Sequence, residues 1–218
     1  MSLVQRKARP LTRDAASLRD DRLFIVACDD TFAPKQYFDL FRLTRVKIHV
    51  VPTTDGTSVA ANVLARLLDY EHHPDDELWM LLDTDHCIRG SHLEGFLGAL
   101  REAKRKGVKV ALSKPCFELW LLLHHIDESE VGDLALAADV ASKLRAVHGE
   151  YNKTNLKAVH YPLDSVTEAH GRAKRLDAAV GGGEIPSGNT TRVYQLLEAI
   201  LAKSLPSQLP ASLRNLTG

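Results

Sequence analysis

Four short apolar runs constrain this chain more than any other feature. They are LFIVAC (23–28), VKIHVV (46–51), LWMLL (78–82) and VKVAL (108–112). LFIVAC and LWMLL are continuous rather than alternating, which is the pattern of strands buried on both faces of a parallel sheet. Helical patterns lie between the runs. After an Asp55-Gly56 turn, Val59, Val63, Leu64, Leu67 and Leu68 fall on one helical stripe. Ser91 followed by Glu94 has capping-box spacing, ahead of Leu93, Phe96, Leu97 and Leu100. Lys104, Arg105, Lys106 and Gly107 then supply the cations and the glycine that close a helix. Strand–helix repetition in this phase predicts an α/β fold of right-handed βαβ units with about four parallel strands and flanking helices.

From residue 116 onward the strand signal fades. FELWLLLHHI, DLALAADVASKLRAV, SVTEAHGRAKRLDAAV and TTRVYQLLEAILAKS read as helices, and GGGEIPSGN (181–189) as a flexible loop. A length of 218 residues leaves little room for two independent cores. The expected organisation is a flexible basic arm over 1–20, an α/β core over 21–130, and a helical C-terminal half over 131–218 packed on that core.

The 28 Lys+Arg and 28 Asp+Glu cancel, so bulk charge does not draw this chain to nucleic acid or anionic membrane. Any such contact must be local. Residues 69–94 hold eight acids against Arg89 alone, whereas 141–175 hold seven bases (Lys143, Arg145, Lys153, Lys157, Arg172, Lys174, Arg175) against three acids. That asymmetry reads either as a cation-binding half and a phosphate-facing half, or as two solvated faces. No stretch reaches the ~18 apolar residues of a membrane span, and the N-terminus lacks the apolar run of a secretory signal. A cytoplasmic protein with no membrane partner is expected. Cys28, Cys87 and Cys116 form no disulfide framework. With His86 they make a conceivable zinc set, but CxxC and HxxxH spacings are missing, and packing of small thiols is the simpler reading. His72-His73 and His124-His125 have no metal spacing either.

The chemistry concentrates at strand ends. In LWMLLDTDHC, Asp83 and Asp85 stand at i and i+2, so an extended backbone projects both carboxylates to one face. Carboxyl ends of parallel strands are where α/β sheets bind ligands. Two acids so close repel unless a cation lies between them, and hard cations such as Mg²⁺ take oxygen ligands. The plainer alternative is a capping or turn pair. In IVACDD, Asp29 and Asp30 follow the first run, as rim acids if that strand neighbours 78–82, or otherwise as turn formers. In SKPCFELWLLLHH, Pro115 suits a helix first turn, and Glu118 returns a third acid to the same rim after strand 108–112.

Taken together these segments resemble the RloB family, whose core is a Toprim-like domain. The likeness spans roughly residues 22–200. Its strand followed by C-E-G-E-x-x-E-P-x-Y-F is echoed in IVACDDTFAPKQYFDLF, with Cys28, Tyr37 and Phe38 in register, and its DxD strand in LWMLLDTDH. SKPCFELWLLLHH is close to S-N-P-C-F-E-L-W-L-L-L-H-F, and EYNKT and GNTTRVYQLLEAI resemble its late Y-x-K and N-x-(S/T)-T segments. The resemblance implies a phage-defence protein, often encoded beside restriction systems or an ABC-type ATPase, with a metal-dependent nuclease fold. It implies metal ligation by Asp29, Asp83 and Asp85, with Glu118 as a further ligand or base. Lys153 would stabilise developing charge. Asp29 stands where the family carries Glu, and Asp30 where it carries Gly, so the ligand reach shortens by one methylene.

The function expected on these grounds is an Mg²⁺- or Mn²⁺-dependent nuclease acting on DNA or RNA in anti-phage defence. A catalytically degenerate Toprim-fold sensor or binding module, working with an ATPase partner, is the rival from another class. A DxD nucleotide-sugar glycosyltransferase is a third reading, which the PCFELWLLLHH likeness opposes.

Overall fold

A computed structural model describes residues 22–43, 45–53, 59–85 and 92–216. The basic arm, the Asp55-Gly56 turn, Ser91 of the capping box, His86 and Cys87 lie outside the described residues. Each apolar run is a strand: β1 (Arg22–Cys28), β2 (Val46–Val51), β3 (Glu77–Asp83) and β4 (Lys109–Lys114). These four are parallel, and β5 (Thr190–Thr191) pairs antiparallel with β4, in the order β2-β1-β3-β4-β5. The helices are α1 (Phe32–Asp39), α2 (Ala60–Asp69), α3 (His92–Arg105), α4 (Glu118–Leu122), α5 (Ala137–His148), α6 (Leu163–Ala179), α7 (Val193–Lys203) and α8 (Ala211–Arg214). The mostly parallel sheet with flanking helices is the α/β architecture anticipated, and it is consistent with a Toprim-like core.

The sheet divides the apolar residues into two layers. Phe24, Val26, Cys28, Trp79 and Leu81 face one layer, with α1, α4 and the late helices; Ile25, Ala27, Met80 and Leu82 face the other, with α2 and α3. Burial on both faces explains why these strands read as unbroken apolar runs. On α3 the buried face is Phe96, Ala99, Leu100 and Ala103, while Leu93 is exposed. The stripe is thus turned from the anticipated one, toward Ala99 and Ala103 and away from Leu93.

Two late elements differ from the sequence pattern. TTRVYQLLEAI reads as one helix, yet Thr190 and Thr191 are extended and pair with Lys114 and Ser113. The Ser113 and Thr191 hydroxyls meet at 2.9 Å, and Arg192 N–H donates to the Leu112 carbonyl at 2.8 Å. β-Branched threonines suit this, and the short strand covers an edge that β4 would otherwise present to other chains. FELWLLLHHI is helical only over Glu118–Leu122, then turns. Leu119, Trp120, Leu121, Leu122 and Leu123 are all fully buried, as befits a helix apolar all round.

Of the histidine pairs that sequence spacing left without a role, His124 and His125 meet other rings in space, whereas His72 and His73 lie elsewhere. Ser165 Oγ donates to the Pro162 carbonyl at 2.8 Å, so His124 must donate to it through Nδ1 at 2.7 Å. His124 Nε2 therefore accepts from the Tyr37 hydroxyl at 3.2 Å. The His125, His148 and His160 rings contact one another in sequence, with centroids 4.2 and 4.1 Å apart. Burial pushes His125 down to about 4, and burial and the neighbouring imidazole lower His148 as well. It lies at either end of residues 149–159, the strap that enters the site.

Candidate active site

The chain passes from β1 to β2 on one side, then crosses to β3 on the other, so β1 and β3 flank the point where strand order reverses. Open α/β sheets bind ligands outside the carboxyl ends of strands at that point. Asp29 follows β1, Asp83 ends β3, and Glu118 begins the helix after β4. The cleft there measures about 680 Å³, and Asp29, Asp30, Asp83, Asp85, Glu118 and Lys153 all line it.

Local structure fixes each acid. Asp29 Oδ1 accepts from the Asp30 N–H at 2.9 Å, and its Oδ2 from the Asp83 N–H at 2.8 Å, so this carboxylate ties the ends of β1 and β3 together. The Pro115 carbonyl accepts from Thr84 and Asp85 N–H at 3.1 and 3.2 Å, which braces the DTD turn against the start of the α4 segment. Asp30 caps the first turn of α1 through Oδ1 to the Phe32 N–H at 2.9 Å, while its Oδ2 takes Lys153 Nζ at 2.8 Å. Tyr151 donates its hydroxyl to Glu118 Oε1 at 2.8 Å. Gln36 holds the strap, donating to the Lys153 carbonyl at 2.7 Å and accepting from the Leu156 N–H at 2.7 Å.

The electrostatics are those of crowded acids. Burial pushes Asp29 up to about 6, against the backbone N–H bonds that favour its ionised form. Burial also pushes Asp83 well above the carboxylate range, and the charges of Asp29, Glu118 and Asp85 add to it. Lys153 is pushed up by its bond to Asp30, so it stays an ammonium. Tyr151 is pushed up by burial and by Glu118, so it stays a neutral donor. Cys28 and Cys116 are free and buried, and burial and the nearby acids push both thiols up, as suits a packing role. The acids of the cleft offer oxygen donors, the kind that hard divalent cations take. Among the described residues no group of three or more His, Cys, Asp or Glu is placed to hold one metal ion.

The late basic residues do not gather as their clustering suggests. Arg172 donates to the Leu123 carbonyl at 2.8 Å, Lys174 pairs with Glu198 at 3.1 Å, and Arg175 pairs with Glu128 at 2.9 Å. None of the three lines the cleft. Their acid partners lie 24 and 47 residues away in sequence for Lys174 and Arg175, so a count along the chain misses them. Lys153 and Arg145 line a shallow extension of the cleft beside Glu118 and Tyr151, and Arg66 donates to the Cys28 carbonyl, just before Asp29, at 3.3 Å. Tyr151 and Gln36 carry parts of the site that sequence reading left without a role. For Tyr151 the one available signal is its place in EYNKT.

The raised acids set a direction for stability against pH. Asp29 has a folded value of about 6 against an ordinary 3.8, so the folded state binds more protons between these values. Stability from this group is therefore lowest above pH 6 and rises as pH falls toward 4. Burial lowers His124 to about 3 and His125 to about 4, which works the other way as unfolded imidazoles protonate near 6.5, so the acid contribution is read against Asp29→Asn. Without divalent cation, the melting temperature of the unaltered protein relative to that variant is expected to rise by a few degrees between pH 7.5 and 5. A difference between the two proteins that stays constant over that range would refute the crowding of charge described above.

No helix among the described residues is long and apolar enough to cross a membrane. No curated protein and no solved structure matches the chain. Residues 24–200, which carry every acid of the cleft, the strap and β5, match the family described as RloB-like protein. The chain belongs to the RloB-like family.

Proposed function

We propose that this protein is a Mg²⁺- or Mn²⁺-dependent nuclease that hydrolyses phosphodiester bonds in DNA or RNA. The observation that carries this reading is the meeting of Asp29, Asp83, Asp85 and Glu118 with Lys153 in one cleft at the strand-order reversal. A bound divalent cation would neutralise the acids and polarise a phosphate oxygen. Asp83, with Asp85 or Asp29 beside it, is the anchor for such a cation, water completing the shell in the way Mg²⁺ commonly accepts. Glu118, oriented by Tyr151, is placed to take a proton from attacking water. Lys153, fixed by Asp30, holds a permanent positive charge where negative charge develops on the phosphate. Membership of the RloB-like family supports placing this activity in anti-phage defence, alongside an ABC-type ATPase, in the cytoplasm.

The test is an assay of purified protein on DNA and RNA with Mg²⁺ or Mn²⁺, with and without an ABC-type ATPase added. Cleavage that chelator abolishes is the expected result. No cleavage in any combination, together with melting temperatures indifferent to either cation, would overturn the reading.

One observation favours a second reading. Both oxygens of Asp29 already accept backbone N–H bonds, and no three-acid group is assembled among the described residues. On that reading the acids brace a sensor or binding module that acts through its ATPase partner and cuts nothing.

A further inference from the structure

α1 treats its aromatic residues in two ways. Tyr37 and Phe38 are buried in the core, at 0% and 2% exposure, whereas Phe32, the first residue of the helix, is 57% exposed and lines the acid cleft. The other exposed large apolar side chains among the described residues are all Val or Leu. A lone exposed apolar residue needs no explanation by itself. Phe32 differs in how firmly its backbone is held. Its N–H is bound by Asp30, and its carbonyl accepts from Gln36 Nε2 at 3.1 Å. Asp30 and Gln36 are the same two side chains that fix Lys153, one by its ammonium and the other by its carbonyl. An exposed ring and a fixed cation are thus mounted together on one rim, with the carboxylates inside.

We propose that Phe32 is a stacking platform for an unpaired base, so that the cleft takes single-stranded nucleic acid and excludes duplex. The inference rests on the phosphodiesterase reading for what the acids do with the strand. An aromatic face beside a cation matches a nucleotide, ring to base and ammonium to phosphate. A volume of about 680 Å³ falls among sites that enclose a small ligand. Bases in a duplex are stacked on their neighbours and offer no free face to the ring. A splayed single strand offers one at every step, which makes the contact tolerant of sequence.

The test is a binding measurement that does not depend on cleavage. Full-length protein carrying Asp83→Asn, which keeps the probe intact, is titrated by fluorescence anisotropy with a labelled 12-residue single strand of DNA or RNA. The matching duplexes are titrated alongside. Single strands of either sugar are expected to bind at least tenfold tighter than duplex. Adding Phe32→Ala is expected to weaken single-strand binding about tenfold, and Phe32→Tyr to preserve it. The salt dependence of binding should be the same with and without Phe32→Ala, because a ring contact releases no counterions. An exposed position lets the alanine variant fold, which a melt confirms. Duplex binding as tight as single-strand binding, indifference to Phe32→Ala, or no binding at all would overturn the inference. Stacking without cleavage by the unaltered protein would sink the nuclease reading alone. Cleavage with an indifferent Phe32 would sink this inference alone.

Discussion

Asp83→Asn is expected to abolish metal-dependent cleavage, by about 10²–10³-fold, without unfolding the protein. The substitution keeps side-chain volume and removes one charge from the acids that share the cleft. Asp83 is the most burdened of them, raised by burial and by Asp29, Glu118 and Asp85. Losing its charge relieves that repulsion, so the metal-free variant should melt at or slightly above the unaltered protein at pH 7.5. Divalent cation should stabilise the unaltered protein more than the variant, because a ligand bound only by the folded state raises stability. Gel assays and paired melts with and without Mg²⁺ read both effects. A variant that cleaves normally would remove Asp83 from the active site.

Trp120→Ala is expected to produce the largest loss of stability, about 3–5 kcal/mol. Trp120 is fully buried in α4, with its ring edge-on to Tyr37 at 6.0 Å and to His124 at 5.5 Å. The alanine leaves a cavity between α1 and α4 that neither helix can fill. For a chain of this length the melting temperature should fall by roughly 10 °C. Glu118 lies two residues away on the same short helix, so cleavage should decline well below the new melting point. A shift under 2 °C would show that the centre of this layer is not where the buried rings place it.

What could be read from the residues alone depended on how local the cause was. β1 to β4 were legible because burial on both faces demands unbroken apolar runs, and LFIVAC and LWMLL are of strand length with helical patterns between them. β5 was not, since two threonines next to a helical stripe carry no period of their own. They are extended because β4 had an open edge. The acids were legible for a similar reason: a carboxylate just past an apolar run falls at the strand's carboxyl end whatever the topology. That Asp29 and Asp83 would meet depended on β1 lying beside β3, which only the sheet order decides. The bases were the opposite case. Arg172, Lys174 and Arg175 form a run in sequence, but each binds a separate partner brought in by tertiary packing. The His125, His148 and His160 contacts were invisible because they join three elements with no shared spacing.

The tie between Asp30 and Lys153 spans 123 residues, and the ties from Gln36 to the strap span 117 and 120. Contacts so distant in sequence form late, and a growing chain emerges N-terminus first. All of the cleft's carboxylates are synthesised before Tyr151 and Lys153. A chain halted before residue 151 therefore displays mutually repelling acids with no ammonium among them and no phenol to orient Glu118. On the nuclease reading, this order of synthesis leaves competence to the parts of the site made last, Tyr151 and Lys153.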